Sequence, residues 1–437
     1  MTIPNTATGA PSDLPDELLP FVGRLGPRFF DVRKKALDFC IQSTKVRNRD
    51  DFKRLQQTAK DDGLWNFFLP EVSGLSVLEY APIAEMLGKY PLANVGMNCS
   101  APDTGNMEVL QKYGTPEQKK RWLEPLLNQE IRSAFAMTEP AVASSDATNI
   151  SSTIERVPKL DGTGEEYLVN GHKWYISGAI RDSCKVFIFL GRTATRGPVH
   201  GQQSMLIIPK DSPGVRLVRS MDVFGHSGDH AEIFFHDVRV PLENIILGEG
   251  RGFEIAQGRL GPGRIHHAMR TIGEAEDAME AILHRARNRV AFGKPLIEMD
   301  TVLQTLAEAK LSITRSRMLC YLAAAVADEK GFKAAKQYIA MIKVDAPRMA
   351  LKVFDDAIQV HGAHGVSQDS RLSNSYTHLR TMRVADGPDI VHMNTIAKEL
   401  LSRTPSAAAV ALSGENRNIA LYHKEKEEYR KQAQSKL

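Results

Sequence analysis

One carboxylate in a short turn has the setting of a catalytic base. Asp386 stands in the stretch "RVADGPDIVHMNTIAKEL", residues 383–400, directly before a Gly-Pro pair. Pro388 suits the first turn of a helix, where no N–H is needed, and Asp389 would place a negative charge near the positive end of that helix. Asp386 is therefore either an ordinary helix cap or a base that the turn holds over a substrate.

A second stretch has the composition of a loop that binds phosphate or a flat ring. "FAMTEPAVASSDATNI", residues 135–150, is dense in small and hydroxylated residues. Such a loop lets backbone N–H groups approach a ligand closely, and its hydroxyl groups can donate hydrogen bonds. A polar turn between two domains is the alternative, and composition alone favours that alternative.

Two further segments, taken together with the first two, favour a ligand site over a polar turn. "NGHKWYISGA" places Trp174, Tyr175 and Ser177 at the end of a predicted strand, and "QVHGAHGVSQDS" interrupts a helix with Gly362 and Gly365. Aromatic rings beside a hydroxyl, followed by a glycine-broken helix, are compatible with a ligand site that several segments share.

The histidines do not form a metal-binding set. His361 lies near His364, and His266 is adjacent to His267. We interpret all four as core or loop residues, and we predict no metal site.

Composition and charge exclude several classes of protein. The 437 residues carry a net charge of +4, and the basic residues are interspersed with 52 acidic ones, so binding to nucleic acid is not indicated. The four cysteines are far apart, which argues against a zinc site and indicates a reducing compartment without structural disulfides. No run approaches the ~18–20 apolar residues of a membrane span.

The ends of the sequence bear on localisation. The first twenty residues have neither the basic and apolar regions of a secretory signal nor the Arg-rich character of a mitochondrial transit peptide. Ser435-Lys436-Leu437 matches the tripeptide that the peroxisomal import receptor binds. We therefore expect a peroxisomal protein, with the mitochondrion as the alternative.

Hydrophobic periodicity divides the chain into three regions and a tail. We predict an α+β protein with a helical domain over residues 1–134, a β domain over 135–248, a helical bundle over 249–411 and a charged tail over 412–437. The Asn170-Gly171 pair predicts a hairpin turn in the β domain. Three helices of roughly 28 residues and the helix opened by Pro388 would form a four-helix bundle.

The four segments, in this order and at these intervals, resemble the acyl-CoA dehydrogenases, flavoproteins with helical, β and helical domains. The resemblance covers roughly residues 20–410 and includes "RVAFGK" at residues 289–294. "MTEPAVASSDATNI" is closer to the branch of mammalian family members 10 and 11 than to the medium- or short-chain enzymes. "ADGP" stands where many members have "YEGT", and the same branch also uses aspartate there.

This resemblance implies an FAD site, an acyl-CoA site and a base. Phe135, Met137 and Thr138 would line the isoalloxazine ring, and Arg289 and Phe292 would reach FAD across a subunit interface. The implied cofactor contacts are Phe135, Met137, Thr138, Ser144, Ser145, Tyr175, Ser177, Arg289, Phe292, Gln359, Gly362, Gly365 and Pro388, and the implied substrate contacts are Ser145, Arg264 and Gly387.

The implied reaction converts an acyl-CoA to a trans-2-enoyl-CoA in fatty acid β-oxidation. Asp386 would take a proton from the carbon beside the thioester carbonyl while a hydride leaves the next carbon for flavin N5. Hydrogen bonds to the thioester oxygen would stabilise the enolate. We expect the helix start to lower the pKa of Asp386 and burial to raise it once substrate excludes water. Aspartate is one methylene shorter than glutamate, so the loop must advance by ~1.5 Å.

Several alternatives remain open at this point. An electron-transfer flavoprotein or oxygen could accept the electrons, and an oxygen-using acyl-CoA oxidase or a nitroalkane oxidase would share the fold. A scaffold that has lost its cofactor is a third possibility. The FAD contacts across an interface imply a homodimer or homotetramer, and the sequence does not decide between them or fix the length of the acyl chain.

Overall fold

The computed structural model describes residues 14–403, 421–429 and 431. The residues up to His392 pack as one compact unit, and those from Met393 onwards belong to a second. Within the described residues, no helix is both long and apolar enough to cross a membrane. Ser435-Lys436-Leu437, the predicted import signal, lies outside the described residues.

The elements follow one another in the predicted order of helices, sheet and helices. The first helices are α1 Pro27–Ser43, α2 Arg49–Asp61, α3 Pro70–Ser73, α4 Val77–Lys89, α5 Pro91–Gly96, α6 Asp103–Tyr113, α7 Pro116–Gln118 and α8 Glu124–Leu127. The strands are β1 Arg132–Ala136, β2 Thr153–Pro158, β3 Glu165–Ser177, β4 Cys184–Arg192, β5 Gln203–Pro209, β6 Val215–Val223 and β7 His226–Pro241, with a small pair β8 Val290–Ala291 and β9 Lys294–Pro295. The later helices are α9 Gly252–Asn288, α10 Asp300–Ala334, α11 Lys336–His361, α12 Ala363–Val366, α13 Leu372–Thr381 and α14 Asp389–Arg403.

Local signals in the sequence fix the starts of two of these helices. Thr115 caps α7 by accepting a hydrogen bond from the N–H of Gln118, whose side chain bonds back to the Thr115 N–H. Pro116 occupies the first helical position, as the sequence predicts. Ser76 and Glu79 form the same reciprocal capping box at α4.

The β region is one seven-stranded sheet within residues 14–403. Its strand order is β1-β4-β2-β3-β7-β6, and β5 pairs with the other edge of β4. β1 and β4 run parallel, whereas β3 is antiparallel to both β2 and β7. Phe187, Phe189 and Phe235 pack edge to face in the core on one side of this sheet.

The predicted hairpin at Asn170-Gly171 is wrong, because β3 continues through both residues. The register to β7 shifts between Val169 and Gly171, so the pair forms a bulge rather than a turn. Gly171 is required for a close approach, since a Cβ there would lie 2.2 Å from Oγ of Ser152. Asn170 instead exchanges two hydrogen bonds with Asp237 on β7, at 3.1 and 2.8 Å.

Three long helices form the second helical region, as periodicity predicts. They span 37, 35 and 26 residues, and α10 contains a break at Gly331, where φ is +80°. Helix α9 crosses α4 at close range because Gly88 faces the Arg270 carbonyl and Gly273 faces the Glu85 carbonyl. A predicted fourth helix, α14, begins directly after Pro388. The crossing of α4 and α9 sets the position of the α9 residues that face Asp386.

Candidate active site

The backbone around Asp386 is held in an uncommon conformation. Asp386 has φ of +56° and Gly387 has φ of +104°, so the chain makes two consecutive left-handed steps before α14. Aspartate tolerates this region better than most residues. The Asp386 carbonyl accepts a hydrogen bond from Nε of Arg264 at 2.9 Å and lies 3.3 Å from Nε2 of His392. These contacts fix the direction in which the side chain leaves the loop.

The carboxylate of Asp386 lies against one face of α9. Oδ2 is 3.5 Å from Nε2 of His267, and a Cβ built on Gly263 would stand 3.4 Å from the same oxygen. Residues four apart share a helix face, so Gly263 and His267 form a small recess in front of the carboxylate. The side chain of Asp386 retains 18% of its exposure, which is enough to be reached from a cleft.

Side chains on α9 and α11 set the charge state of Asp386. Burial raises the pKa of this carboxyl, but His267, Arg259, Lys343 and Arg264 outweigh burial and hold the pKa below its ordinary value of 3.8. From the sequence we expect the helix start to lower the pKa of Asp386, whereas these four side chains are the main cause of the lowering. Asp389 is occupied elsewhere, since its Oδ2 accepts hydrogen bonds from Nε of Arg383 and Nε of Arg348, both at 2.9 Å.

Arg264 and Gly387, both predicted to contact substrate, support the loop of Asp386. Arg264 is held by the Asp386 carbonyl, as described above, and burial lowers its pKa from the ordinary value. Gly387 packs on the imidazole of His392, because a Cβ at Gly387 would lie 3.1 Å from Nε2. A side chain at this position would displace His392 and loosen the turn.

A buried ion pair shapes the hydroxyl-rich loop. Nζ of Lys173 lies 2.7 Å from Oε1 of Glu139, and the two side chains are 0% and 1% exposed. Glu139 also accepts the N–H groups of Ser151 and Ser152 at 2.8 and 3.0 Å, while Lys173 donates to the Met137 carbonyl at 3.0 Å. Burial raises the pKa of Glu139, but Lys173 lowers it to about 2, so the pair is charged. The pair closes the loop at both of its ends.

Two of the predicted flavin-contacting hydroxyl groups bond within the loop itself. Thr138 donates its hydroxyl to the Trp174 carbonyl at 2.5 Å, and Trp174 returns its N–H to the Thr138 carbonyl at 3.1 Å. Ser144 accepts the N–H of Glu139 at 2.9 Å. Ser145 is exposed at the tip of the loop. Thr138 and Ser144 thus fix the loop, and Ser145 is exposed to solvent.

Aromatic residues at the end of β3 complete this side of the site. The ring of Tyr175 lies 5.0 Å from that of Trp174, retains 46% exposure and has φ of +51°. Ser177, on the same strand, has its hydroxyl 3.0 Å from Nδ1 of His230. The exposed Tyr175 ring offers a flat surface next to the loop.

Arg259 links the end of β1 to Asp386. Its guanidinium carbon lies 4.1 Å above the ring of Phe135, and its charge acts on Asp386. Nε of Arg259 donates to Asn106 at 3.2 Å. The structure therefore brings Phe135, the predicted cofactor contact, and Asp386 to the same buried cation.

A cavity of about 340 Å³ adjoins the Asp386 recess. Its walls come from the segment before α4, from α6 and from α9, with Phe68, Leu75, Tyr80, Glu108, Arg259 and His266 among the lining residues. His266 and Arg259 line the cavity, while their neighbour His267 faces Asp386. The cavity and the Asp386 recess therefore lie on adjoining faces of α9.

The remaining predicted cofactor residues lie on other parts of the molecule. Arg289 and Phe292 belong to the β8–β9 hairpin, and Phe292 is 98% exposed with φ of +52°. Gln359 is exposed near the end of α11, and Gly362 ends that helix with φ of +63°. Gly365 is buried, and a Cβ at this position would lie 2.5 Å from the Ile358 carbonyl. Within the described residues, no group of three or more His, Cys, Asp and Glu side chains could hold a metal ion.

The sequence missed several residues of this site. The interpretation of His267 as a core or loop residue stays a prediction, and it does not include the contact that His267 makes with Asp386. Nothing in the local sequence marks Lys343 and Glu108 as residues of this site, apart from a charge on an apolar helix face. Glu139 lies within the motif at residues 135–150 and Lys173 within the motif at residues 170–179, and this position was the available signal.

Comparison with known proteins covers almost the whole chain. The acyl-CoA dehydrogenase N-terminal, middle and C-terminal domains match residues 32–130, 134–238 and 250–401. FadE2 of Mycobacterium tuberculosis, named as a probable acyl-CoA dehydrogenase, is 52% identical over 409 residues, which cover 89% of this chain and 99% of that protein. Acyl-CoA dehydrogenase family member 11 of Gallus gallus is 54% identical over 82% of this chain. This chain spans only 46% of that longer relative.

The fold of this chain is also similar to that of a solved structure. A Mycobacterium abscessus protein assigned to the acyl-CoA dehydrogenases superposes with a TM-score of 0.81 and 40% identity. The superposition covers 86% of this chain and 99% of the other.

Proposed function

The chain belongs to the acyl-CoA dehydrogenase family, and from that premise we propose that it oxidises an acyl-CoA between Cα and Cβ with Asp386 as the base and FAD as the cofactor. The family makes it a flavin-dependent oxidoreductase that resembles family members 10 and 11. The observation that carries the proposal is the placement of Asp386. Its loop is fixed by Arg264, and its carboxylate faces a recess on α9 beside the cavity.

In the proposed reaction two C–H bonds break and one C=C bond forms. Asp386 takes the Cα proton onto a carboxylate oxygen, and the Cβ hydrogen leaves as a hydride. Bound FAD would supply the hydride acceptor. The backbone N–H of Asp386 would donate to the thioester oxygen, where negative charge develops as the proton leaves. Removing one such donor typically raises the activation barrier by about 3–4 kcal/mol.

The positive side chains around Asp386 support this role. They keep the carboxyl deprotonated in water, so that it is ready to accept a proton when the acyl chain arrives. Substrate would then exclude water from the recess and remove solvation from the carboxylate, which strengthens it as a base. The fixed carbonyl of Asp386 keeps the shorter side chain of aspartate at the α9 face.

The residues present fit FAD. The loop held by Glu139 and Lys173 offers backbone N–H groups and the exposed Ser145 hydroxyl, which are donors suited to phosphate. Tyr175 and Phe135 offer aromatic surfaces for a flat ring system. We propose that these residues hold the cofactor, with the exposed Arg289 and Phe292 reaching the FAD of a second subunit in a homodimer or homotetramer.

The cellular role remains a proposal that follows from the family. We place the enzyme in fatty acid β-oxidation, with an electron-transfer flavoprotein or oxygen as the electron acceptor. A peroxisomal location depends on Ser435-Lys436-Leu437 and stays a prediction. Imaging a tagged chain with and without this tripeptide tests it.

Anaerobic titration of the purified flavoprotein with acyl-CoA tests the proposed function. We expect loss of the oxidised flavin absorbance with the wild type, and a rate lower by several powers of ten with Asp386→Asn. Asp211→Asn, an exposed carboxylate between β5 and β6 and outside the site, is the matched control and should behave as the wild type. Near wild-type rates in Asp386→Asn would refute the base assignment. Bleaching by nitroethane but by no acyl-CoA would identify a nitroalkane oxidase instead.

A further inference from the structure

The cavity beside the base contains a carboxyl group that the proposed reaction does not use. Glu108 on α6 lines the cavity together with Tyr80 and His266. Its side chain is only 13% exposed. A purely hydrocarbon tail would leave this largely buried group without a partner, and this arrangement is costly.

The polar atoms around Glu108 leave hydrogen-bonding capacity in the cavity. Within the described residues, Oε2 of Glu108 is buried and has no hydrogen-bond partner. Oε1 is 3.9 Å from Nδ1 of His266, which is beyond hydrogen-bond length. The buried Tyr80 hydroxyl also has no oxygen or nitrogen partner there, and only the Cys99 thiol lies beside it. Burial lowers the pKa of His266 to about 3, so its ring is neutral.

Glu108 is itself uncharged in the folded protein near neutral pH. Burial raises its pKa from 4.5 to about 8, against the opposing effect of Arg259. A protonated carboxyl both donates and accepts a hydrogen bond. Charges of both signs act on this group, from Arg259 and Arg270 and from Glu71 and Asp386. The uncharged carboxyl of Glu108 is itself suited to a neutral oxygen as its hydrogen-bond partner.

We propose that the acyl tail taken by this cavity carries an uncharged oxygen, a hydroxyl or a carbonyl group, which hydrogen-bonds to Glu108. The inference rests on the proposed function, because the tail reaches Glu108 only if the thioester is bound at Asp386. Phe68 and Leu75 would pack against the alkyl part of the tail. A tail without the oxygen would bury the same apolar surface but leave the Glu108 carboxyl without a partner.

The test compares chain-matched acyl-CoA pairs on the holoenzyme. Each saturated acyl-CoA is paired with analogues that carry one hydroxyl group at successive positions beyond Cβ, and kcat/KM is measured from flavin reduction. We expect the best hydroxylated substrate to exceed its plain partner by about tenfold or more in the wild type, as one hydrogen bond allows. Glu108→Leu should bring this ratio near one by slowing the hydroxylated substrate and improving the plain one.

Two further variants keep the test decisive. Glu108→Gln retains hydrogen-bonding atoms and should preserve a large part of the preference, so it serves if Glu108→Leu does not fold. Glu155→Leu, an exposed change on β2, should leave the ratio unchanged. Equal rates for both members of each pair, or the same ratio in Glu108→Leu as in the wild type, would overturn this inference alone. No bleaching by any acyl-CoA would overturn the proposed function and the inference with it.

Discussion

His267 and Asp386 meet side chain to side chain, with Nε2 3.5 Å from Oδ2. Burial lowers the pKa of His267 to about 3, so the imidazole is neutral at physiological pH. In the tautomer that carries its proton on Nε2, this ring can donate toward the carboxylate without transferring a proton to it. Such a contact would stabilise the anion and leave it free for its proposed role as the base.

Replacing His267 should alter the pH profile of the reaction. His267→Phe keeps an aromatic ring but removes the N–H donor. The pKa of Asp386 should therefore rise, and the acid limb of kcat/KM should move to higher pH. We expect the rate at neutral pH to fall by about tenfold, as for loss of one hydrogen bond to a charged group. Stopped-flow flavin reduction over a pH series measures both. His236→Phe, at a site 85% exposed on β7, is the control, and an unshifted acid limb would contradict the assignment.

Replacing Lys173 should weaken both folding and cofactor retention. Lys173→Met leaves Glu139 buried without its cation, which costs about 3–5 kcal/mol in comparable pairs. The loop from Met137 to Ser152 would lose its anchor, so the purified protein should contain less flavin per chain. Thermal denaturation and the ratio of flavin to protein absorbance measure the two effects.

The double variant Lys173→Met with Glu139→Leu separates stability from cofactor binding. Removing both charges should restore much of the stability, whereas the loop contacts to Ser151 and Ser152 stay lost. Lys185→Met, an exposed lysine on β4, is the control. Full flavin content in the double variant would show that the ion pair does not shape the cofactor loop.

Glu108 should make stability depend on pH in a defined direction. Its pKa is about 8 when folded and 4.5 ordinarily, so the folded state binds more protons between these values. The contribution of Glu108 to the free energy of unfolding is fully present below pH 4.5 and is lost as pH rises to about 8. Glu108→Gln lacks this loss, so its stability relative to the wild type should increase over that range, by up to roughly 4 kcal/mol. Urea unfolding at several pH values measures this difference, with Glu155→Gln as the control. Parallel curves for Glu108→Gln and the wild type would exclude a raised pKa.

A charge at the tip of the β8–β9 hairpin should disrupt the proposed oligomer. Phe292 is 98% exposed, and its neighbour Val290 is 61% exposed, which is unusual for an aromatic and an aliphatic residue in one turn. Phe292→Asp should lower the molar mass seen by light scattering and reduce the flavin content. Leu160→Asp, at another exposed apolar residue with 84% exposure, should do neither. A monomeric wild type, or an unchanged mass in Phe292→Asp, would exclude the hairpin as an interface.

Local patterns predict the order of the elements and several of their ends. Periodicity places the long helices and the strands correctly, because the side chains that form one face are close in sequence. Thr115 and Pro116 start a helix, and Pro388 precedes another, because capping and proline geometry act within one turn. The Asn170-Gly171 pair shows the limit of this approach. Its contacts with Ser152 and Asp237 come from other strands and convert an expected turn into a bulge.

The sequence by itself determined that Asp386 stands in a turn before a helix, with a glycine that permits the left-handed step. Only the tertiary structure decided what surrounds that carboxylate. The crossing of α9 with its neighbours brings His267, Arg264 and Lys343 to it and sets its pKa below the ordinary value. The same packing places Glu108 in the adjacent cavity. Charge interactions and burial depend on distances in space, and residues far apart along the chain acquire those distances only when the helices pack.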